Sequence, residues 1–407
     1  MNSALSHITV LDLSRVLAGP WAGQVLADLG AEVIKVERPG SGDDTRGWGP
    51  PFLRDAQGND SADAAYYLCA NRNKKSITVD FTTPQGQSIV RELARTSDVV
   101  LENFKVGGLA PYGLDYAALR AVNPQLIYCS ITGFGQTGPY ASRAGYDLLV
   151  QAMGGLMSIT GRQDGEPGAG PQKAGVAVTD ILTGLYAAIG ILAALAHRER
   201  TGVGQHIDLG LLDVQVACLA NQAMNYLVSG SAPRRSGNSH PNLVPYQDFP
   251  TSDGYMVIAV GTDAQFARLC AVTGLAGIAE DPDFSTNQQR VANRRELIDQ
   301  LCAATVTQST AHWVAALESV GVPAGPINSL DAVFDDPQVR ARGMRIDLPH
   351  PVAGSVSLVA NPLRLSETPV TYRSAPPPLG AQTREVLSER LAMSADEIEA
   401  LRANGII

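Results

Sequence analysis

Clustered metal ligands and the common nucleophile motifs are missing from this chain. Its 407 residues include five cysteines and six histidines. Neither type falls into a C-x-x-C or H-E-x-x-H spacing, so no metal site is expected. The cysteines (Cys69, Cys129, Cys218, Cys270 and Cys302) are odd in number and scattered, three of them inside apolar stretches. They read as reduced thiols of a cytoplasmic protein. No G-x-x-x-x-G-K-[ST] segment occurs, which leaves an ATP-binding P-loop unsupported. The lack of G-x-S-x-G argues against a hydrolase serine. Charged residues make up only 17%, with a net charge of -9 and no Lys/Arg cluster. Nucleic acid and anionic membrane are therefore not expected partners. The longest apolar run, Ile181 to Ala196, falls short of the about 20 residues that cross a bilayer. Residues 8–13 read as a strand, not as the apolar part of a leader.

What is present is a large apolar fraction, 45%, enough for more than one domain. The first third alternates strand and helix patterns. Strands are expected over residues 8–13, 31–37, 98–102 and 125–131, and helices over 21–29, 85–95 and 115–122. Such alternation predicts an α/β domain with a parallel sheet, whose ligands bind beyond the carboxyl ends of the strands. A polar linker, residues 229–240, begins a smaller α+β domain over 229–325, with a hairpin around Thr251-Ser-Asp-Gly254 and three helical patterns. Residues 1–228 form the large domain, and the segment 326–407 ends in a helix opened by Ser394-Ala-Asp-Glu397.

Asp180 is the most informative residue. It stands at the start of the apolar run, where free backbone N–H groups and the positive helix end favour a carboxylate. Two readings remain open on local sequence: an ordinary N-cap, and a carboxylate kept ionised to attack an acyl carbon. Gly133-Phe-Gly-Gln-Thr-Gly138 matches the dinucleotide pattern G-x-G-x-x-G. Pro139 follows at once, however, and the motif lies on a late strand, so it reads as a glycine-rich site loop rather than a nicotinamide site. Arg15, Arg38 and Asn103 follow strand ends, where guanidinium groups suit phosphates and carboxylates.

Taken in order, Val10 to Pro20, Gly30 to Gly40, Asn73-Lys-Lys-Ser76, Glu102-Asn-Phe104, Ser130 to Pro139, Ala144-Gly-Tyr-Asp147, Asp180 and Arg198 to Gln205 resemble the family III CoA-transferases. Gly42 to Phe52, Asn71 to Ser76, Gln215 to Leu219 and Val244-Pro-Tyr-Gln247 are most similar to the succinyl-CoA:glutarate branch. The resemblance implies a Rossmann-like large domain plus the smaller α+β domain, in a ring-shaped subunit of an interlocked homodimer. It also implies that Asp180 passes through anhydride and aspartyl-CoA thioester intermediates. The substrates would be an acyl-CoA and a carboxylic acid, with coenzyme A a substrate and no further cofactor.

By the same resemblance, CoA lies along Val16, Leu17, Arg38, Asn71, Arg72, Asn73, Lys74, Asn103, Phe104, Arg143 and Tyr146. Arg46 or Arg72 is expected to hold a distal carboxylate, with Gly237, Asn238 and His240 as a further wall. Racemases of the family carry histidine where this chain has Tyr146. Two-faced proton transfer needs two acid/base groups, and tyrosine is a poor replacement. A 2-methylacyl-CoA racemase is thus the alternative reading and a nicotinamide oxidoreductase a distant one.

Overall fold

The computed structural model describes residues 3–407, which divide into two compact units. The first comprises residues 3–156, 174–224 and 337–407, and the second 157–173 and 225–336. The second unit is thus broader than residues 229–325, and it includes 157–173.

At the centre of the first unit lie six parallel strands: β1 (Thr9–Asp12), β2 (Glu32–Glu37), β3 (Lys74–Thr78), β4 (Val99–Glu102), β5 (Ile127–Thr132) and β6 (His206–Gly210). Their spatial order is β3-β2-β1-β4-β5-β6, the doubly wound order in which the chain reverses between β1 and β4. Successive residues point to opposite faces of a strand, and both faces here are apolar. Val10, Val33, Val99 and Ile127 pack on one side with α1 (Ala18–Asp28) and the long helix α5 (Val178–Thr201). Leu11, Ile34, Val100 and Tyr128 pack on the other with α2 (Pro84–Arg95) and α3 (Tyr116–Val122). The C-terminal helices Thr383–Leu391 and Ala395–Ala403 complete that second layer through Val386, Leu387 and Ile398. The 326–407 segment therefore contributes, from residue 337 on, to the large unit.

Helix α5 is longer than its apolar run and, by length and composition, apolar enough to cross a membrane. Only half of its most apolar 18-residue stretch is buried. Ala187, Ile191 and Ala194 face the sheet, while Tyr186 and Ile189 lie on the surface, 44% and 60% exposed. The helix thus carries apolar residues on both its buried and its exposed side. Gly184 sets its approach to α1: a Cβ there would meet the Ala18 carbonyl oxygen at 2.6 Å. That close crossing brings the first turn of α5 to the loop following β1.

The second unit has a three-stranded antiparallel sheet, Ala324–Pro326 beside Tyr255–Ala259 beside Tyr246–Pro250. Helices Asp263–Val272, Arg294–Thr305 and Thr310–Ser319 share its core of Phe249, Ile258, Phe266, Leu301 and Trp313.

Candidate active site

The loops leaving β1 and β4 separate at the reversal point of the sheet, and a cavity of about 170 Å³ opens there. Residues 15–18 follow β1, 103–106 follow β4, and 131–133 end β5; Arg143, Tyr146, Asp180 and Leu211 complete the wall. Asp180 is the one carboxylate among these residues, and Arg15, Lys105 and Arg143 are the cations.

Asp180 does not cap its helix. It is the third residue of α5, and the flanking N-cap position is Ala177, which has no capping side chain. The free N–H groups of Thr179 and Asp180 donate instead to Asp147 Oδ1, at 2.8 and 3.3 Å. Asp147 opens the short helix α4 (Asp147–Met153). Two carboxylates thus meet at one helix end. Burial, and then the negative charge of Asp147, push the Asp180 carboxyl up to about 7. The expectation that the helix dipole keeps Asp180 fully ionised is corrected: desolvation outweighs it, and Asp147 takes the helix N–H groups. Tyr66 is a further neighbour. Burial and then Asp180 push its phenol up to about 12, so it stays protonated and able to donate.

Val16 and Leu17 line the cavity, as do Asn103, Phe104, Arg143 and the exposed Tyr146. The Asn103 side chain, however, accepts from Arg15 N–H at 2.9 Å and donates to the Arg15 carbonyl at 2.6 Å, clamping a loop. Arg143 stacks its guanidinium on Tyr140 and Phe134, 4.6 and 5.2 Å from the ring centres. Arg38 lines an adjoining cavity of about 240 Å³, shared with Arg15, Phe81, Phe104 and Tyr112.

Asn71 to Lys74 are placed otherwise than expected. None is more than 6% exposed. Lys74 Nζ donates to Asp12, Pro20 and Asn71, all within 3.0 Å. Asn73 Nδ2 donates to Asp28 and to the Thr371 carbonyl, each at 2.8 Å. These side chains brace the sheet edge from within. Arg46 is likewise buried. Its guanidinium donates to Glu37, Asp63, Tyr67 and the Pro377 carbonyl, leaving no nitrogen for a substrate. Arg72 pairs with Asp28 at 2.6 Å yet lines an apolar cavity of about 750 Å³ with Trp21, Leu68, Ile181, Leu185 and Leu358.

Gly237, Asn238 and His240 belong to the second unit. His240 Nδ1 accepts from the N–H groups of Asn242 and Leu243, both at 3.1 Å, and Asn238 is exposed.

The glycine-rich loop has its own partners. Gly135 N–H donates to Thr132 Oγ1 at 2.9 Å, and Gln136 N–H to the Asp208 carboxylate at 3.0 Å. Those N–H groups would serve a pyrophosphate in a nucleotide loop, and here they are taken. Gly133 instead crosses Gly145 backbone to backbone: a Cβ on Gly145 would lie 2.3 Å from Gly133 Cα. That crossing sets Tyr146 at the cavity and Asp147, next in the chain, at the start of α4. Among the described residues, no group of three or more His, Cys, Asp or Glu is placed to hold a metal ion.

The fold is a doubly wound α/β sheet with an acidic side chain and three cations at its reversal point, where ligands of such sheets bind and where cations suit an anionic one. The chain belongs to the CoA-transferase family III, whose model matches residues 5–383. It is 55% identical to a succinate–glutarate CoA-transferase of Agrobacterium fabrum, over 95% of each chain. It is 47% identical to a succinyl-CoA:glutarate CoA-transferase of Mus musculus, over 99% of this chain and 90% of that one. A crystal structure of a CAIB/BAIF family protein from Brucella suis superposes with a TM-score of 0.85 at 52% identity, covering 96% of this chain and all of the other. The protein is accordingly a CoA-transferase with a parallel α/β core.

Proposed function

We propose that the protein transfers CoA from succinyl-CoA to a dicarboxylate such as glutarate, with Asp180 as nucleophile. The observation that carries this reading is the placement of Asp180 as the one carboxylate in the cation-lined cavity. The names borne by relatives at 55% and 47% identity support the substrate pair.

The ionised Asp180 attacks the thioester carbon of succinyl-CoA, forming a mixed anhydride and releasing CoA thiolate. The thiolate attacks the aspartyl carbonyl, succinate leaves, and an aspartyl-CoA thioester remains. The acceptor carboxylate then attacks that thioester, and the returning thiolate cleaves the new anhydride on the acceptor side, regenerating Asp180. One thioester replaces another, so the exchange needs no ATP and no further cofactor. Arg15, Lys105 and Arg143 supply positive potential for the anionic CoA, and protonated Tyr66 is a donor for negative charge developing near Asp180. The apolar cavity beyond Ile181 suits an acyl chain; Arg72 lies on its wall, with its guanidinium nitrogens donating to Asp28 and to the Val359 carbonyl.

The free cysteines fit a reducing compartment, and we assign the protein to the cytoplasm. The exposed apolar face of α5, with Tyr186 and Ile189, supports a homodimer; the interlocked ring belongs to this reading.

The test offers succinyl-CoA with a panel of mono- and dicarboxylic acids and identifies the acyl-CoA products by mass. Glutaryl-CoA is the expected leading product. Transfer to monocarboxylates alone would reject the dicarboxylate assignment.

A further inference from the structure

The loop between β1 and α1 holds a conformation that its sequence disfavours. Val16 has φ 71°, in the left-handed region, where a β-branched side chain crowds the backbone. Glycine adopts that region freely, so at this position neighbouring groups must supply the restraint. Val16 N–H donates to both carboxylate oxygens of Asp43, each at 3.2 Å. Asp43 Oδ2 lies 2.9 Å from Lys35 Nζ, in an ion pair whose side chains are both 0% exposed. Lys35 also donates to the Ser14 carbonyl at 2.8 Å. The Asn103 side chain fixes the N–H and carbonyl of Arg15 from the far side of the loop.

A buried ion pair is an inefficient source of bare stability, and strained backbone held by its surroundings gathers at functional sites. Val16 lines the same cavity as Asp180. We infer that Asp43, braced by Lys35, is a positioning residue that locks Val16 in the left-handed conformation and so shapes the cavity wall that Val16 shares with Asp180. The inference rests on reading that cavity as the transfer site. Asp43 acts through the Val16 backbone and need not touch substrate.

The test separates positioning from support of the fold. Asp43→Asn would keep an oxygen for the Val16 N–H, and loss of Asp43 alone leaves Lys35 buried without its nearest counter-charge, so the pair is replaced together as Lys35→Met/Asp43→Leu. With succinyl-CoA and glutarate, this variant is expected to lose about tenfold in kcat, with the glutarate KM within about twofold. Adding Val16→Gly, which takes the left-handed conformation unaided, should recover about threefold or more of that loss. Adding Val16→Ala, still strained there, should recover none. Equal rates for the Gly and Ala versions, or a neutral-pair variant as fast as the wild type, would overturn the inference.

A crystal structure of the neutral-pair variant reads the loop independently of turnover. Val16 relaxed to negative φ supports the lock; Val16 still near its present φ of 71° overturns it. A wild-type enzyme that transfers CoA to no acid would sink the functional reading, and the φ measurement would still decide the lock.

Discussion

Asp147 and Asp180 share one helix end: the Asp147 carboxylate accepts the N–H of Asp180 at 3.3 Å and that of Thr179 at 2.8 Å. The helix start is therefore satisfied by one acid while the other is left poised. Nucleophilic attack needs the ionised form, and burial together with Asp147 holds the Asp180 carboxyl up at about 7.

The rate should consequently rise with pH. For kcat/KM, which reports the free enzyme, the acid limb is expected to rise through about pH 7. Asp147→Asn keeps an oxygen for the two N–H groups and removes the negative charge. Its acid limb should move to lower pH, as a pH profile of initial rates will show. A limb that stays in place would mean that Asp147 acts only as a cap.

The same raised carboxyl bears on stability. Between the ordinary carboxylate range near 4 and the folded value of about 7, folded protein keeps a proton that unfolded protein has released. Stability must therefore fall as pH rises across that window. Asp180→Asn removes the effect, and thermal unfolding at pH 8 should show it more stable than wild type by roughly 1–3 kcal/mol. A variant less stable than wild type at that pH would contradict the assignment of the shift to burial.

Tyr66→Phe keeps the ring that meets Trp48 edge-on at 5.4 Å between centroids and removes only the hydroxyl. If the phenol donates to charge developing near Asp180, kcat should drop roughly 10- to 100-fold with little change in KM. Steady-state kinetics with an unchanged kcat would remove Tyr66 from the mechanism.

Gly145→Ala tests the glycine loop as a spacer. The new Cβ would meet Gly133 Cα at 2.3 Å, and backbone cannot give way cheaply. A loss of roughly 1–3 kcal/mol is expected, with activity falling as Tyr146 and Asp147 shift. Gly277→Ala meets nothing within 4 Å and serves as the neutral comparison in the same melting experiment.

The strands that sequence reveals are those whose two buried faces read as unbroken apolar runs, such as Val99-Val-Leu-Glu102 in β4. Strand β3 was hidden by its two lysines, because Lys74 is buried only by virtue of Asp12, 62 positions earlier. Strand β6, His206-Ile-Asp-Leu-Gly210, was hidden by its polar residues. The position of Asp180 at a helix start was legible, but its ionisation was not, since burial in the fold raises its carboxyl first and Asp147, 33 residues away, adds to it. For the same reason Arg46 looked free: Glu37 and Asp63 meet it only in the fold. Arg15 and Lys105 could have been singled out more firmly, since both follow strands that flank the reversal point.

In the proposed reaction Asp180 carries CoA covalently. Incubating the enzyme with succinyl-CoA and no acceptor, then measuring intact and peptide masses, tests it most directly. The expected product is a protein heavier by CoA less one water, with the adduct on the Asp180 peptide and abolished in Asp180→Ala. An adduct on another residue, or full turnover by Asp180→Ala, would contradict it.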